Sequence, residues 1–339
     1  MQEFNPIDII NLQETPEEST ADFTPTNFEQ FIGQEELKKK LTIYTTAAKM
    51  RNEAVDHVLL SGPPGLGKTT LAQLMANIMQ VSIKICSGPM LERTGDLVAI
   101  LSGLQPRDIL FIDEIHRTPK AVEEVLYSAM EQFRVDVIIG QGAGAKTVNL
   151  PLNPFTLIGA TTKSGLLTAP LRSRFGITER LDFYYEHELQ TIAKHYALYL
   201  SLQLEPAAAL RIAQASRGTP RIAKKLTRRI RDFAQVQQKT LCDLPFVEQA
   251  LTQLGIDHDG LSTIDNLILK KIISLFGGGP VGLETIAAII GEESDTIETV
   301  YEPFLLRKGY LEKTARGRQI PPLTLAKLRK KFFGQETLY

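Results

Sequence analysis

The sequence predicts an α/β chain with a parallel sheet in its N-terminal half, a small helical domain after it, and a helix-plus-hairpin domain of winged-helix type at its C-terminal end. Three observations carry this. Between Phe28 and Phe183, apolar runs alternate with helical patterns, the signature of parallel strands joined by crossover helices. One alternation contains a glycine loop, Gly62-Pro63-Pro64-Gly65-Leu66-Gly67-Lys68-Thr69-Thr70, set between an apolar strand and a helix start. Beyond residue 184 the strand signal gives way to amphipathic helices, and a short strand–turn–strand pattern closes the chain.

Taken in order, residues 1–22 are polar and acidic (Glu3, Asp8, Glu14, Glu17, Glu18), lack an apolar core stretch, and are expected to be flexible and not a signal peptide. Residues 23–183 form the α/β domain. Its expected strands are Val55–Leu60, Val81–Cys86, Ile109–Ile112, Phe155–Ala160 and Ile177–Phe183. Leu71, Leu74, Met75 and Ile78 recur at helical spacing within Thr69–Met79. Val135–Ile139 and Thr147–Leu150 flank Gly140-Gln141-Gly142-Ala143-Gly144 and predict a hairpin inserted at about 133–151. Its apolar Val137, Ile138 and Ile139 either pack on the parent domain or dock a partner protein.

Residues 184–254 predict a small all-helical lid: Glu188–Leu200, Glu205–Ala215, and a basic helix Pro220–Val236 that turns Ile222, Leu226, Ile230 and Phe233 inward. Thr219 sits at its N-cap and Pro220 at its first position. Arg228, Arg229 and Arg231 read as its solvated face. Residues 255–339 supply helices Ile264–Phe276, Leu283–Ile290 and Ser294–Leu306, then a hairpin within Tyr310–Ile320 with Gly317 in the turn.

Net charge is −1 over 339 residues, so no global basic field advertises nucleic acid, and any DNA contact must be local. Cys86 and Cys242 are the two cysteines, consistent with reduced thiols in a cytoplasmic protein. No apolar run reaches the length of a membrane span, and a soluble intracellular protein is expected. None of the five histidines has metal-ligand spacing, and His116, beside Glu114, is read as orienting its neighbours by hydrogen bonding.

The chemistry is concentrated in two motifs. The glycine loop is a complete Walker A sequence: its backbone N–H groups can turn onto phosphate oxygens, Lys68 can reach the β- and γ-phosphates, and the Thr69 hydroxyl can ligate Mg²⁺. Asp108-Ile109-Leu110-Phe111-Ile112-Asp113-Glu114 is an apolar strand ending in two carboxylates, the Walker B pattern. It would deliver Asp113 to the Mg²⁺ and let Glu114 polarise the attacking water. Together they predict ATP hydrolysis. Thr161 and Thr162 end another apolar strand, where a hydroxyl can either hold the lytic water beside the γ-phosphate or simply cap the strand. Arg172 and Arg174 lie on a short helix end, from which an arginine can stabilise charge on a γ-phosphate in cis or in trans. From Arg307 to Lys331 there are nine Lys/Arg against one Glu. Lys313, Arg316 and Arg318 cluster at the hairpin, as a DNA-binding wing or as a solvated surface.

As a set, these motifs resemble one family. The stretch Asp56–Thr70, Ser87-Gly88-Pro89, Leu110–Arg117, Gly159-Ala160-Thr161-Thr162, Arg174-Phe175-Gly176, Arg217-Gly218-Thr219-Pro220-Arg221 and Phe276–Leu283 are similar to the RuvB family of bacterial Holliday-junction branch-migration motors, from about residue 28 to about 320. The resemblance implies an AAA+ P-loop ATPase core, a helical lid and a DNA-binding winged helix, assembled as a hexameric ring on duplex arms. It implies ATP and Mg²⁺, a RuvA tetramer docked on the inserted hairpin, and the RuvC resolvase. Residue by residue, it makes Gly65, Lys68, Thr69 and Thr70 phosphate and Mg²⁺ contacts, and Arg174 a finger on the neighbouring subunit's ATP. It makes Arg221 the second sensor and Tyr184 a nucleotide contact at the hinge, places Glu131, Gln132 and Phe133 near nucleotide, and matches Lys313 and Arg318 to DNA contacts on the wing. Phe23 and Thr24 fall at the adenine pocket, where the family carries Arg-Pro and this chain has Thr24-Pro25. Lys313 replaces an arginine and so lacks its bidentate fork, and Ser294 stands where a basic residue is expected on the DNA-facing helix; DNA contact is then weaker or displaced toward Lys327–Lys331. Two other readings share the core: a clamp-loader-like switch that opens another ring, and a DNA-binding regulator that uses ATP only as a conformational ligand.

Overall fold

Five strands form a parallel sheet in the first half of the chain: Val58–Ser61 (β1), Ile83–Ser87 (β2), Ile109–Asp113 (β3), Thr156–Thr161 (β6) and Ile177–Arg180 (β7), in the spatial order β2-β3-β6-β1-β7. In this computed structural model, residues 24–139 and 146–334 are described. The N-terminal segment, Phe23 and the Gly140–Gly144 tip of the inserted hairpin lie outside them. The described residues divide after Tyr184 into two compact units.

In the first unit, β6 and β3 are central strands buried along nearly their whole length, whereas the edge strand β2 exposes Lys84 and Ile85. Continuous apolar runs are what a sheet covered on both faces requires. The helix Lys68–Met79 follows β1 and buries Leu71, Leu74 and Met75 completely, each worth about 1.5–3 kcal/mol. Two strands are shorter at their start than the apolar runs suggest. Ahead of β2, Ser82 gives its N–H to the Asp108 carboxylate (3.0 Å) and only its carbonyl to the neighbouring strand, accepting from Ile109 N (2.9 Å). Before β1, His57 is buried as a bridge: its Nδ1 accepts from Leu157 N (2.9 Å), and its Nε2 lies 3.1 Å from the Met130 carbonyl. That pattern puts the proton on Nε2 of a neutral ring, and burial pushes its pKa down.

Arg134–Ile139 (β4) and Lys146–Pro151 (β5) pair antiparallel as a separate two-stranded ribbon, so the hairpin stands apart from the main sheet. Helices Glu35–Arg51, Thr94–Ser102 and Lys120–Gln132 complete this unit.

The second unit holds two apolar clusters. One gathers the lid helices Glu186–Tyr199, Pro206–Ala215, Pro220–Val236 and Leu244–Gln253; the other gathers the C-terminal helices. The lid is not wholly helical as expected: Gln203–Leu204 (β8) and Leu241–Cys242 (β9) pair in parallel. Thr219 stands at the N-cap and Pro220 at the first helical position as expected, but the Thr219 hydroxyl donates back to the Ser216 carbonyl and makes no capping bond. Helix Ser294–Leu306 also departs from the expectation, being interrupted by a π-helical turn at Ile297–Tyr301. Pro303 follows after one intervening residue; it has no N–H to give, and its ring crowds the preceding turn, which the wider turn relieves.

Glu312–Thr314 (β10) and Gly317–Gln319 (β11) form the wing, and Val281 pairs with Arg318 as a third rung (N···O 2.8 Å in both directions). Gly317 is obligatory here: its φ is +133°, and a Cβ would sit 2.4 Å from the Val281 carbonyl oxygen. Burial pushes both cysteine thiols up to about 11, so Cys86 and Cys242 are neutral core residues without nucleophilic character. No helix among the described residues is long and apolar enough to cross a membrane.

Between the two apolar clusters of the second unit lies a buried ion pair. Arg217 (5% exposed) donates to the Asp265 carboxylate (0% exposed), which also accepts from Ser262 N (2.8 Å) and Ser262 Oγ (2.7 Å). The guanidinium lies over the Phe304 ring at 4.8 Å. Removing one partner would strand the other without water. Asp265→Ala should therefore cost about 3–5 kcal/mol in urea unfolding. Breaking the surface pair Arg229–Asp232 with Asp232→Ala should cost no more than about 1 kcal/mol.

Candidate ATPase site

The sheet order places β6 between β1 and β3, so the C-terminal ends of these three strands emerge side by side. Each end carries one sequence-predicted motif. After β1, Gly62 donates its N–H to the Thr161 carbonyl (3.2 Å), tying the Walker A loop to β6 at its first residue. Lys68 is buried, and its ammonium donates to the carbonyls of Gly62 (2.8 Å) and Pro63 (2.9 Å), which closes the loop on itself. Thr69 and Thr70 follow on the first turn of the helix that begins at Lys68, with Gly65 in the loop before it. The Tyr184 hydroxyl reaches the same loop at the Leu66 carbonyl (3.2 Å). The Phe31 ring also packs against the loop, within 3.2 Å of where a Cβ on Gly67 would lie. Phe31 carried no signal in the sequence, because its role depends on a neighbour 36 positions on.

After β3, Asp113 accepts a hydrogen bond from the backbone N–H of Glu114 (2.9 Å), which turns the chain through a left-handed conformation (φ 47°). This sharp turn aims Glu114 across the sheet toward β6. There its Oε2 accepts from the Thr162 hydroxyl (3.1 Å) and lies 3.1 Å from His116 Nδ1. His116 Nδ1 is also 2.9 Å from Thr161 Oγ1, which accepts from Lys163 N (3.0 Å). Both threonine hydroxyls thus engage the Walker B acid or the histidine beside it. Among the two readings of Thr161 and Thr162, this favours a role in the site. His116 lies within hydrogen-bonding distance of both Thr161 and Glu114, the kind of contact the sequence reading expected of it.

Arg174 ends the short helix Ala169–Ser173. Its guanidinium donates to the Pro170 carbonyl (2.7 Å), pairs with Glu131 (3.1 Å) and stacks 4.4 Å from the Tyr127 ring. None of these partners belongs to the Walker A or Walker B motifs. Glu131 is therefore brought to the arginine. Gln132 follows it at the helix end, and the Phe133 ring packs edge-on against Phe155 (5.9 Å). Thr24 is exposed on the segment leading into the first helix. In the second unit, Arg221 occupies the second position of helix Pro220–Val236, half-buried.

The three wing cations differ from one another. Lys313 pairs with Glu302 (2.7 Å) and Glu298 (3.6 Å), and Arg318 pairs with the same two carboxylates (2.6 and 3.7 Å). Glu302 is 2% exposed, so both cations neutralise a buried acid. Arg316, at the hairpin turn, is exposed and has no ion pair among the described residues. Lys331, in the helix Pro322–Phe333, bridges Asp257 (2.8 Å) and Asp259 (2.6 Å).

A parallel sheet that gathers a Walker A loop, a Walker B acid and paired threonines on adjacent strand ends, followed by a lid and a winged helix, defines an AAA+ P-loop ATPase. Three family models match the chain in succession. They are the Holliday junction DNA helicase RuvB P-loop domain over residues 23–181, the RuvB AAA lid domain over 184–257, and the RuvB C-terminal winged helix domain over 258–329. The Holliday junction branch migration complex subunit RuvB of Latilactobacillus sakei is 55% identical over 304 residues, covering 90% of this chain and 91% of the relative. That of Enterococcus faecalis is 53% identical over 302 residues, 89% of each chain. The solved Thermotoga maritima RuvB Holliday junction branch migration motor superposes with a TM-score of 0.82 at 48% identity, covering 93% of this chain and 99% of that one. The chain belongs to the RuvB family.

The loop geometry makes one substitution informative. Gly62 has φ +139°, and a Cβ there would lie 2.5 Å from the Leu181 carbonyl oxygen. Gly62→Ala must shift the loop that Lys68 closes, at a strain of about 1–3 kcal/mol. Nucleotide affinity should fall about tenfold or more while far-ultraviolet circular dichroism stays native. Titration with a fluorescent ATP analogue checks it.

Proposed function

We propose that this protein is the ATP-driven motor that moves the branch point of four-way DNA junctions in recombination and repair, acting as a homohexameric ring on the duplex arms. The observation that carries the reading is the bonded arrangement of Glu114, Thr162, His116 and Thr161 across the strand ends. It belongs to a site built for turnover, because a protein that used ATP only as a conformational ligand would not need an aimed Walker B glutamate. The relatives' names supply the DNA substrate, and the wing supplies a contact for it.

In this reading Lys68 and the loop N–H groups hold the β- and γ-phosphates, and Glu114 polarises the attacking water with Thr162 fixing its orientation. The Thr69 hydroxyl and Asp113 carboxylate are hard oxygen donors of the kind Mg²⁺ accepts, and they would hold it; the ion neutralises phosphate charge when bound. Arg174 acts on the ATP of a neighbouring subunit, which its separation from the chain's own Walker partners favours. Glu131, Gln132 and Phe133 accompany it to that interface, and Tyr184, Thr24, Phe23 and Arg221 complete nucleotide recognition. The β4–β5 ribbon, standing outside the main sheet, docks the RuvA tetramer; RuvC completes the complex, and the location is cytoplasmic. A clamp-loader-like switch is disfavoured by the wing, since such a protein would be expected to end in a helical collar. A four-way-junction migration assay with and without the RuvA partner tests the whole: junction dissociation without ATP, or none in the presence of RuvA and ATP, would sink it.

Two predictions follow from the residue roles. Lys68→Ala should lose ATP binding, whereas Glu114→Gln should bind ATP near parent affinity and lose turnover by about 10²–10⁴. Equilibrium binding beside steady-state phosphate release separates them, and parental turnover in Glu114→Gln would remove Glu114 from the chemistry.

On DNA, the ion pairs change which cation matters. Arg316→Ala should flatten the slope of log affinity against log salt by about 0.9, one phosphate contact. Arg318→Ala should instead destabilise the C-terminal unit by about 1.5–3 kcal/mol, because it removes a charged hydrogen bond from Glu302. Duplex binding across a salt series, with thermal melts of both variants, decides between wing contact and wing scaffold.

A further inference from the structure

The Arg174 guanidinium is held from three sides, and only one of those contacts survives if it turns to a phosphate. Glu131 and the Pro170 carbonyl occupy its edge N–H groups, the same groups that a γ-phosphate would take. The Tyr127 ring meets its face, at 4.4 Å, and uses none of them. An exposed arginine otherwise carries about 2 kcal/mol of rotamer entropy that must be surrendered in the transition state. A face contact removes that freedom while leaving the donors available.

The ring itself is fixed. The Tyr127 hydroxyl donates to Glu123 Oε1 (2.6 Å) and lies 3.1 Å from Thr168 Oγ1, and Thr168 is itself bonded to the same Glu123 oxygen. Glu123 is 8% exposed, four residues before Tyr127 on helix Lys120–Gln132. Thr168 is the N-cap of the short helix that ends at Arg174, its Oγ1 accepting from Leu171 N (3.3 Å). One buried carboxylate therefore locks both the platform and the start of the element that carries the arginine. The Nε of Arg174 is buried without a hydrogen-bond partner among the described residues, so that part of the guanidinium is held by packing and not by a hydrogen bond.

We propose that Tyr127 is a positioning residue for the arginine finger: its ring, pinned by Glu123 and Thr168, holds the Arg174 guanidinium by its face so that its edge can exchange Glu131 for a neighbouring subunit's γ-phosphate. This rests on the reading of Arg174 as a trans-acting finger. The contacts of Tyr127 are with Glu123, Thr168 and Arg174, so on this proposal it acts through the arginine.

The test uses assembled rings. Tyr127→Ala, and Tyr127→Leu as a variant that fills similar volume without a π face, should each lower kcat for ATP about tenfold with KM unchanged, because the subunit's own phosphate cradle is intact. Tyr127→Phe, which keeps the face but loses the hydroxyl that pins it, should fall between the parent and Tyr127→Leu. Mixing Tyr127→Leu with Lys68→Ala subunits, whose fingers and platforms are intact, should restore hydrolysis in proportion to the mixed interfaces. Parental kcat in Tyr127→Leu while Arg174→Ala is inactive would overturn the platform and leave the finger standing. Parental kcat in Arg174→Ala would overturn the finger itself. A Tyr127→Leu loss that Lys68→Ala subunits in verified mixed rings cannot restore would place the defect in the subunit's own site and also overturn the proposal.

Discussion

The register of β6 between β1 and β3 governs everything chemical in this chain. Ser61 pairs with Thr161 and Ile112 with Gly159, so the Walker A loop and the Walker B acid each leave the sheet one strand spacing from the two threonines. A slip of one residue in β6 would exchange its two faces and turn Thr161 and Thr162 away from His116 and Glu114. Full burial of β6 prevents such a slip, because every side chain along it is already committed to the core. The apolar interior thus does more than stabilise: it sets the distances on which a 3.1 Å contact between Thr162 and Glu114 depends.

Charges deep in the second unit follow a different logic. Arg217, Asp265 and Glu302 are ions removed from water, where well-packed apolar residues would often be as stable. What they supply is direction. Arg217 sits four residues before Arg221, in the turn that launches the basic lid helix, and its carboxylate partner lies at the start of the first C-terminal helix. The lid turn and the winged helix are thereby held at one fixed contact, whereas apolar surfaces alone can slide. That is the kind of joint a motor needs if a change at a lid residue is to move DNA.

Local chemistry was largely legible in the sequence, and tertiary pairing was not. Periodicity found helix Pro220–Val236 to the residue, and apolar runs found all five core strands within a few positions. Helix Leu244–Gln253 went unread although Asp243 caps it by accepting from Phe246 N, a signal present in the sequence. The Walker residues were legible because their spacing is dictated by a phosphate. Tyr127 and Phe31 were not, because what makes them functional is a neighbour brought up by the fold. The wing shows the limit most clearly. Counting charges from Arg307 to Lys331 finds a cationic segment, yet the acids that neutralise it, Glu298, Glu302, Asp257 and Asp259, all lie upstream.

That neutralisation bears on how such a wing can hold DNA. With Lys313 and Arg318 engaged by Glu302, and Lys331 by two aspartates, three of the nine counted cations are committed to acids before any reaches a phosphate backbone. On the proposed reading this is a virtue, since a ring that advances along duplex must release each contact it makes. Six shallow contacts, one from each subunit, would retain the duplex collectively while each is broken at modest cost. Tight wings would oppose every step by the full energy of their phosphate contacts, and the free energy of ATP hydrolysis would then be spent on release instead of movement.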